Sequence, residues 1–305
     1  MPILVRRSNL LVSIADADAV ADAWRHNADA ITLSLDSTKP GSLDSLKEGI
    51  TAAGQGAAEV FVRVRRASLQ DDLEHCVWRG LSGIVLPNVA SIDEIVQAAE
   101  ILASLEKARE LAAGSLGLIV LLGSARGVWN IRPILKASAR VSQTGLDERA
   151  LAESLGIDPH PDYDPFVYAR GRLAVEATAA RVGAVGMAYP MSVRQQEDAA
   201  ESEIHAMATK AKNLGMKGVI CPHASWVAPV NAAFTPTPEL VAYNKRVREA
   251  FAAGVTAGTA AVPLDGRMID VPVDEWAIVV LATAEACARR DSEKKAASRT
   301  KELGI

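Results

Sequence analysis

The chain alternates between short, unbroken apolar runs and longer stretches of helical periodicity. The runs "LLVSI" (10–14), "AITLSLD" (30–36), "EVFVRVR" (59–65) and "GIVLP" (83–87) are short and rich in β-branched residues. Four more, at 116–123, 140–144, 185–190 and 217–222, continue the rhythm. An apolar run without polar alternation predicts a strand covered on both faces, the condition of a parallel sheet. Between the runs, apolar residues recur three and four apart. In 91–111 this predicts a helix with Ile92, Ile95, Val96, Ala99 and Leu102 on one face, and Ser91 and Glu94 have the spacing of a capping box. Eight strands alternating with helices is the number that closes a (β/α)8 TIM barrel. An open doubly wound sheet would place a glycine-rich turn after an early strand, and "SIADADAVADAW" has no glycine.

Two segments stand outside the repeat. After the sixth strand, "GLDERALAESLGIDPHPDYDP" reads as a long loop on the active face, where His160 and Asp162 are either a general-base pair or turn residues. Beyond the eighth strand the helical pattern continues. The barrel is expected over 1–234 and a C-terminal helical extension over 235–305, packed on its own or a neighbouring barrel. Within it, "EWAIVVLATAEACA" (275–288) is apolar enough to need cover, and the charged end reads as a solvated helix.

Composition narrows the function. Of 305 residues, 49% are hydrophobic and the formal net charge is -4, which gives no footprint for nucleic acid. No apolar stretch approaches the roughly 18–20 residues of a membrane span. The N-terminal "MPILVRRSNLLVSI" lacks a small-residue cleavage site, so a cytoplasmic protein is expected. Cys76, Cys221 and Cys287 are far apart with no Cys-x-x-Cys, which predicts neither a zinc site nor a disulfide framework. Candidate chemistry lies at the strand ends. Arg63, between valines, needs an anionic partner, either a substrate carboxylate or Asp36. Arg126 either contacts substrate or caps helix carbonyls, and His223 either faces substrate or anchors the last loop. Arg65 and Arg66 read as surface charges.

The segments "NADAITLSLDSTKP", "FVRVR", "LSGIVLPNVAS", "GSARGVWN", "HASWVAPVNAAFTPTPELVAYNKRV" and "LDGRMIDVPV" together resemble the citrate lyase β-subunit-like branch of the HpcH/HpaI aldolase family. The resemblance runs from about residue 7 to residue 275. It implies a (β/α)8 barrel and a carbon–carbon lyase or aldolase acting on a 2-hydroxy or 2-keto acid or its CoA thioester. It also implies a homo-oligomer, either a trimer or a dimer of trimers. Family members hold Mg2+ between a glutamate at one strand tip and an aspartate at the next, and the ion stabilises the developing enolate.

Here Gly123 stands where that glutamate is expected. Asp147 or Glu148 reaches the second ligand position only with a two-residue shift. Ser34, Ser37 and Ala90 replace further acids, and the first loop lacks the basic residue associated with CoA phosphates. The resemblance therefore implies an altered metal site, with Asp36 and Arg63 catalytic and Arg63, Arg126 and His223 binding substrate. A pocket mouth dominated by the positive charge of Arg63 is expected. The alternatives are a non-catalytic acid- or acyl-CoA-binding relative or assembly subunit, and a thioester hydrolase on the same barrel.

Overall fold

The computed structural model describes residues 4–37, 43, 45–158, 163–187 and 199–302. Eight strands form one sheet: β1 (Ser8–Ser13), β2 (Ala30–Ser34), β3 (Glu59–Arg63), β4 (Gly83–Leu86), β5 (Gly117–Leu122), β6 (Val141–Leu146), β7 (Gly183–Val185) and β8 (Val219–Cys221). Their order is β7-β6-β5-β4-β3-β2-β1-β8, every pairing is parallel, and a parallel bridge between Val185 and Gly218 joins the two ends. This is the expected (β/α)8 barrel. The seventh strand starts two residues earlier than expected, and 188–190 lie outside the described residues.

Side-chain alternation builds two apolar layers. One set, including Leu10, Ile31, Leu33, Val60, Val62, Ile84 and Leu118, packs under the surrounding helices. The other, Ala30, Phe61, Val85, Ile119 and Leu121, forms a separate cluster that fills the barrel. Beneath it, the Arg6 guanidinium lies 4.8 Å from the Phe61 ring centre and pairs with Glu59.

Local expectations were corrected in three places. The helix Ile92–Ala108 has the capping box of Ser91 and Glu94, but buries Ile95, Ala98 and Leu102 and leaves Ile92 and Val96 exposed. The stretch expected as a loop after β6 contains the helix Glu148–Leu155, started by Asp147, whose Oδ1 accepts from Ala150 N, and ended by Gly156 at φ 68°. Arg65 is not a surface charge: its amide and side chain hold the fully buried Asp72.

By compactness the chain divides into two units. One is Arg6–Phe234 with the end of the last helix from Ala297; the other is Thr235–Ala296 with the residues up to Val5. The second contains the helix Pro238–Thr256, a hairpin of β9 (Val262–Leu264) and β10 (Arg267–Ile269), and most of the helix Val271–Glu302. Its core is Val247, Ile269 and Ala277, with Tyr243 and Phe251 against them.

Candidate active site

Functional residues of a (β/α)8 barrel sit at the C-terminal strand ends. Arg63 is the last residue of β3 and pairs in register with Ser34, the last of β2. Two residues beyond Ser34, Asp36 Oδ2 accepts a hydrogen bond of 3.0 Å from Ser34 Oγ. The same oxygen lies 2.8 Å from Arg63 Nε. That buried N–H is not directed at the oxygen, so the contact is a charge pair and leaves a buried donor without an aligned acceptor among the described residues. From the other side, Arg63 Nη2 donates to Asp147 Oδ2 at 3.2 Å. Arg63 thus sits between two carboxylates, its side chain 19% exposed against 48% for Asp36 and 21% for Asp147. The expected positive mouth is corrected, since this trio carries one more negative than positive charge.

Asp147 and Glu148 are neighbours with different surroundings. Asp147 caps its helix with Oδ1 and turns Oδ2 toward Arg63. Glu148 is buried and receives Arg170 Nε at 2.8 Å and Nη2 at 2.9 Å. Desolvation by itself would lower the Arg170 pKa, but hydrogen bonds and charges from Glu148 and Asp164 raise it above the ordinary arginine value. This trio is structural.

Among the described residues, neither Arg126 nor His223 makes a hydrogen bond or ion pair with Arg63, Asp36 or Asp147. Arg126 is exposed on the short helix Ala125–Trp129, where Ser124 Oγ caps Gly127 N at 3.1 Å. His223 precedes the turn Ala224–Trp226 and places its ring 6.2 Å from that of Trp226. His160 and Asp162 lie outside the described residues.

The surroundings of Gly123 involve Asn88, which stands after the fourth strand where the family has a lysine, and Ala150, which the sequence did not single out. A Cβ at 123 would stand 2.8 Å from Ala150 Cβ and 2.9 Å from Asn88 Oδ1. The space where a strand-tip carboxylate would start is therefore filled by a methyl and an amide. Asn88 is held there at φ 53°, with its carbonyl oxygen accepting from Arg66 Nη1 at 2.5 Å. A resident magnesium ion needs hard oxygen donors. Gly123 offers none from its side chain, and Asp36 and Asp147 both face the guanidinium of Arg63. No group of three or more His, Cys, Asp or Glu residues suited to a metal occurs among the described residues. Among the described residues, the side chains at this strand tip do not make up an oxygen donor set for a divalent cation.

At the strand tips of the barrel, Arg63 thus lies between Asp36 and Asp147. The chain belongs to the HpcH/HpaI aldolase/citrate lyase family, whose profile matches residues 7–224. It is 26% identical over 294 residues to the citrate lyase subunit beta of Escherichia coli K12, covering 94% of this chain and 95% of that one. To the mitochondrial citramalyl-CoA lyase of Rattus norvegicus it is 27% identical over 244 residues, covering 75% and 70%. Among solved structures, a citrate lyase from Burkholderia xenovorans superposes with a TM-score of 0.77 at 13% identity, covering 94% of each chain. The protein CitE from Mycobacterium tuberculosis, in complex with magnesium, acetoacetate and coenzyme A, gives 0.62 at 20% identity, covering 94% and 98%. At those identities the two structures support the fold alone. No described helix is long and apolar enough to cross a membrane.

Proposed function

We propose that this protein is a citrate lyase β-like carbon–carbon lyase that cleaves or forms a bond of a 2-hydroxy acid or its CoA thioester, with Arg63 in the role of carboxylate holder. The observation that carries the reading is the buried Arg63 Nε, which has no aligned acceptor and lies beside Asp36 at the barrel mouth. A substrate carboxylate matches the guanidinium fork and supplies the missing acceptor. Asp147 has both oxygens engaged, one in its helix cap and one on Arg63. Asp36 is more exposed, with Oδ2 held by Ser34 and Arg63, so Oδ1 is the oxygen available as base. Asp36 would take the proton of the substrate hydroxyl. The hydroxyl carbon becomes a carbonyl (an aldehyde from a malyl-type acid, a ketone from a citryl- or citramalyl-type one) as its bond to the neighbouring carbon breaks, and the electron pair leaves as an enolate that protonation turns into the second product. Arg63 would neutralise the carboxylate next to the reacting carbon. The nature of the relatives supports this class of chemistry.

A second reading has its own observation: Asn88 and Ala150 fill the space around Gly123, as expected of a pocket that binds an acid or acyl-CoA without cleaving it. One assay separates the two. Malyl-, citramalyl- and citryl-type acids and thioesters are incubated with the protein in EDTA and products are followed by NMR. The lyase reading expects keto-acid release that falls about 10²-fold or more in Asp36→Asn. Binding without turnover in wild type would favour the second reading.

A further inference from the structure

We propose, resting on the lyase reading above, that Asn88 is a further catalytic residue. Its side-chain N–H donates to the substrate carbonyl oxygen that takes up negative charge as the carbon–carbon bond breaks.

Strand order places the residue. The hydrogen bond from Arg63 Nη2 to Asp147 joins the tip of β3 to the residue after β6. β4 and β5 lie between those strands, so Asn88, two residues beyond β4, and Gly123, directly after β5, stand beside the span of the guanidinium. Along β5, Leu121 packs inside the barrel and Leu122 under the helices, and alternation turns position 123 inward again. The Asn88 amide lies against that inward side. A Cβ at 123 would be 2.9 Å from Oδ1 and 3.3 Å from Cγ, so Oδ1 is the atom turned to the glycine and Nδ2 the one turned from it.

This amide is fixed and unused. The Asn88 backbone holds φ 53°, and its carbonyl accepts from Arg66 Nη1 at 2.5 Å. The next residue, Val89, donates its N–H to Leu121 O at 2.9 Å. Among the described residues, neither Oδ1 nor Nδ2 of Asn88 has a hydrogen-bond partner. The turn accounts for the residue type, because asparagine tolerates a positive φ better than most. It does not account for an amide left unpaired beside the charged groups of the site. A donor already held in place needs no reorganisation when an oxyanion forms, which is what makes such groups catalytic.

The step balances with the groups at hand. Asp36 takes the hydroxyl proton, the bond from the hydroxyl carbon to its neighbour breaks, and the electron pair moves into the next carbonyl. The oxygen of that carbonyl becomes the enolate oxygen and accepts from Asn88 Nδ2, while Arg63 holds the carboxylate on the hydroxyl carbon. Asp36 then returns the proton to the enolate carbon, and no oxidant, reductant or co-reactant is consumed.

The test follows cleavage of malyl- and citramalyl-type thioesters in EDTA, with pyruvate binding measured by calorimetry. Pyruvate is the keto-acid half of a citramalyl substrate and lacks the enolate half, so its binding reads Arg63 without Asn88. Asn88→Gly suits the left-handed backbone and removes the amide. Asn88→Asp keeps the size and removes the donor. Each is expected to lower kcat about 10²-fold or more, and Asn88→Gly should keep the wild-type affinity for pyruvate. Circular dichroism and melting temperature check that both variants fold. Turnover in either variant within about 10-fold of wild type, well short of the loss of an oxyanion donor, overturns the assignment. So does a fall in pyruvate affinity that parallels the fall in kcat of Asn88→Gly, since Asn88 would then act by supporting Arg63. A wild type that cleaves nothing removes the lyase reading and this role with it, whereas an active wild type with unimpaired variants removes the role alone.

Discussion

Adding a single methyl at Gly123 should cost this protein more stability than most surface changes. An alanine Cβ would lie 2.8 Å from Ala150 Cβ and 2.9 Å from Asn88 Oδ1, whereas relaxed carbon contacts are about 3.5–4.0 Å. Neither neighbour can move freely. Ala150 lies in the first turn of the helix that Asp147 caps, and Asp147 is tied to Arg63. Asn88 is fixed by its left-handed backbone and by Arg66. Overpacking costs about 1–3 kcal/mol, and a clash on two sides belongs in the upper half of that range. Asn88→Gly removes one clash and suits φ 53°, so Asn88→Gly/Gly123→Ala should recover at least half the loss. Equilibrium urea unfolding, followed by fluorescence and circular dichroism together, measures both variants. A Gly123→Ala protein within about 0.5 kcal/mol of wild type, the usual span for surface substitutions, would refute the claim that this position is filled. A carboxylate introduced at 123 meets the same obstacle, so Gly123→Glu alone is expected to bring no Mn2+ affinity in calorimetric titration.

Acid stability should report on Glu106. Burial alone would raise its pKa, but hydrogen bonds from Arg140 and from the Leu116 and Gly114 amides hold it at about 2, against 4.5 ordinarily. Its contribution of about 3 kcal/mol is therefore complete above pH 4.5 and lost as the pH falls toward 2; in Glu106→Gln this part of the stability–pH curve should flatten. Arg170→Ala removes the guanidinium that pairs with buried Glu148 and with Asp164, and urea unfolding should show a loss of about 3–5 kcal/mol. Arg66→Ala, at a 45% exposed side chain, should lose about 1 kcal/mol or less by the same assay.

The barrel was readable because parallel strands buried on both faces leave unbroken apolar runs, and all eight runs overlap strands. Helix faces were harder. Ile92 and Val96 lie on one stripe and Ile95, Ala98 and Leu102 on another, and only the sheet beneath decides which is buried. The helix Glu148–Leu155 carried its own signals, an aspartate before it and a glycine after it, but the acidic and proline-rich residues that follow masked them. At the site, Arg63 and Asp36 could be found from their strand-end positions. Choosing between Asp147 and Glu148 required Arg170, which only the fold brings to Glu148. The filling around Gly123 combines residues from three separate loops and helices, and no spacing rule connects Asn88, Gly123 and Ala150.

The central claim is that Arg63 holds an organic acid at the barrel mouth without a divalent cation. Calorimetric titration of malate and pyruvate into wild type and Arg63→Ala, once in EDTA and once in excess Mg2+, tests it most directly. Wild type is expected to bind with the same affinity in both buffers, and Arg63→Ala is expected not to bind. Binding that appears only with Mg2+, or that survives in Arg63→Ala, would contradict it.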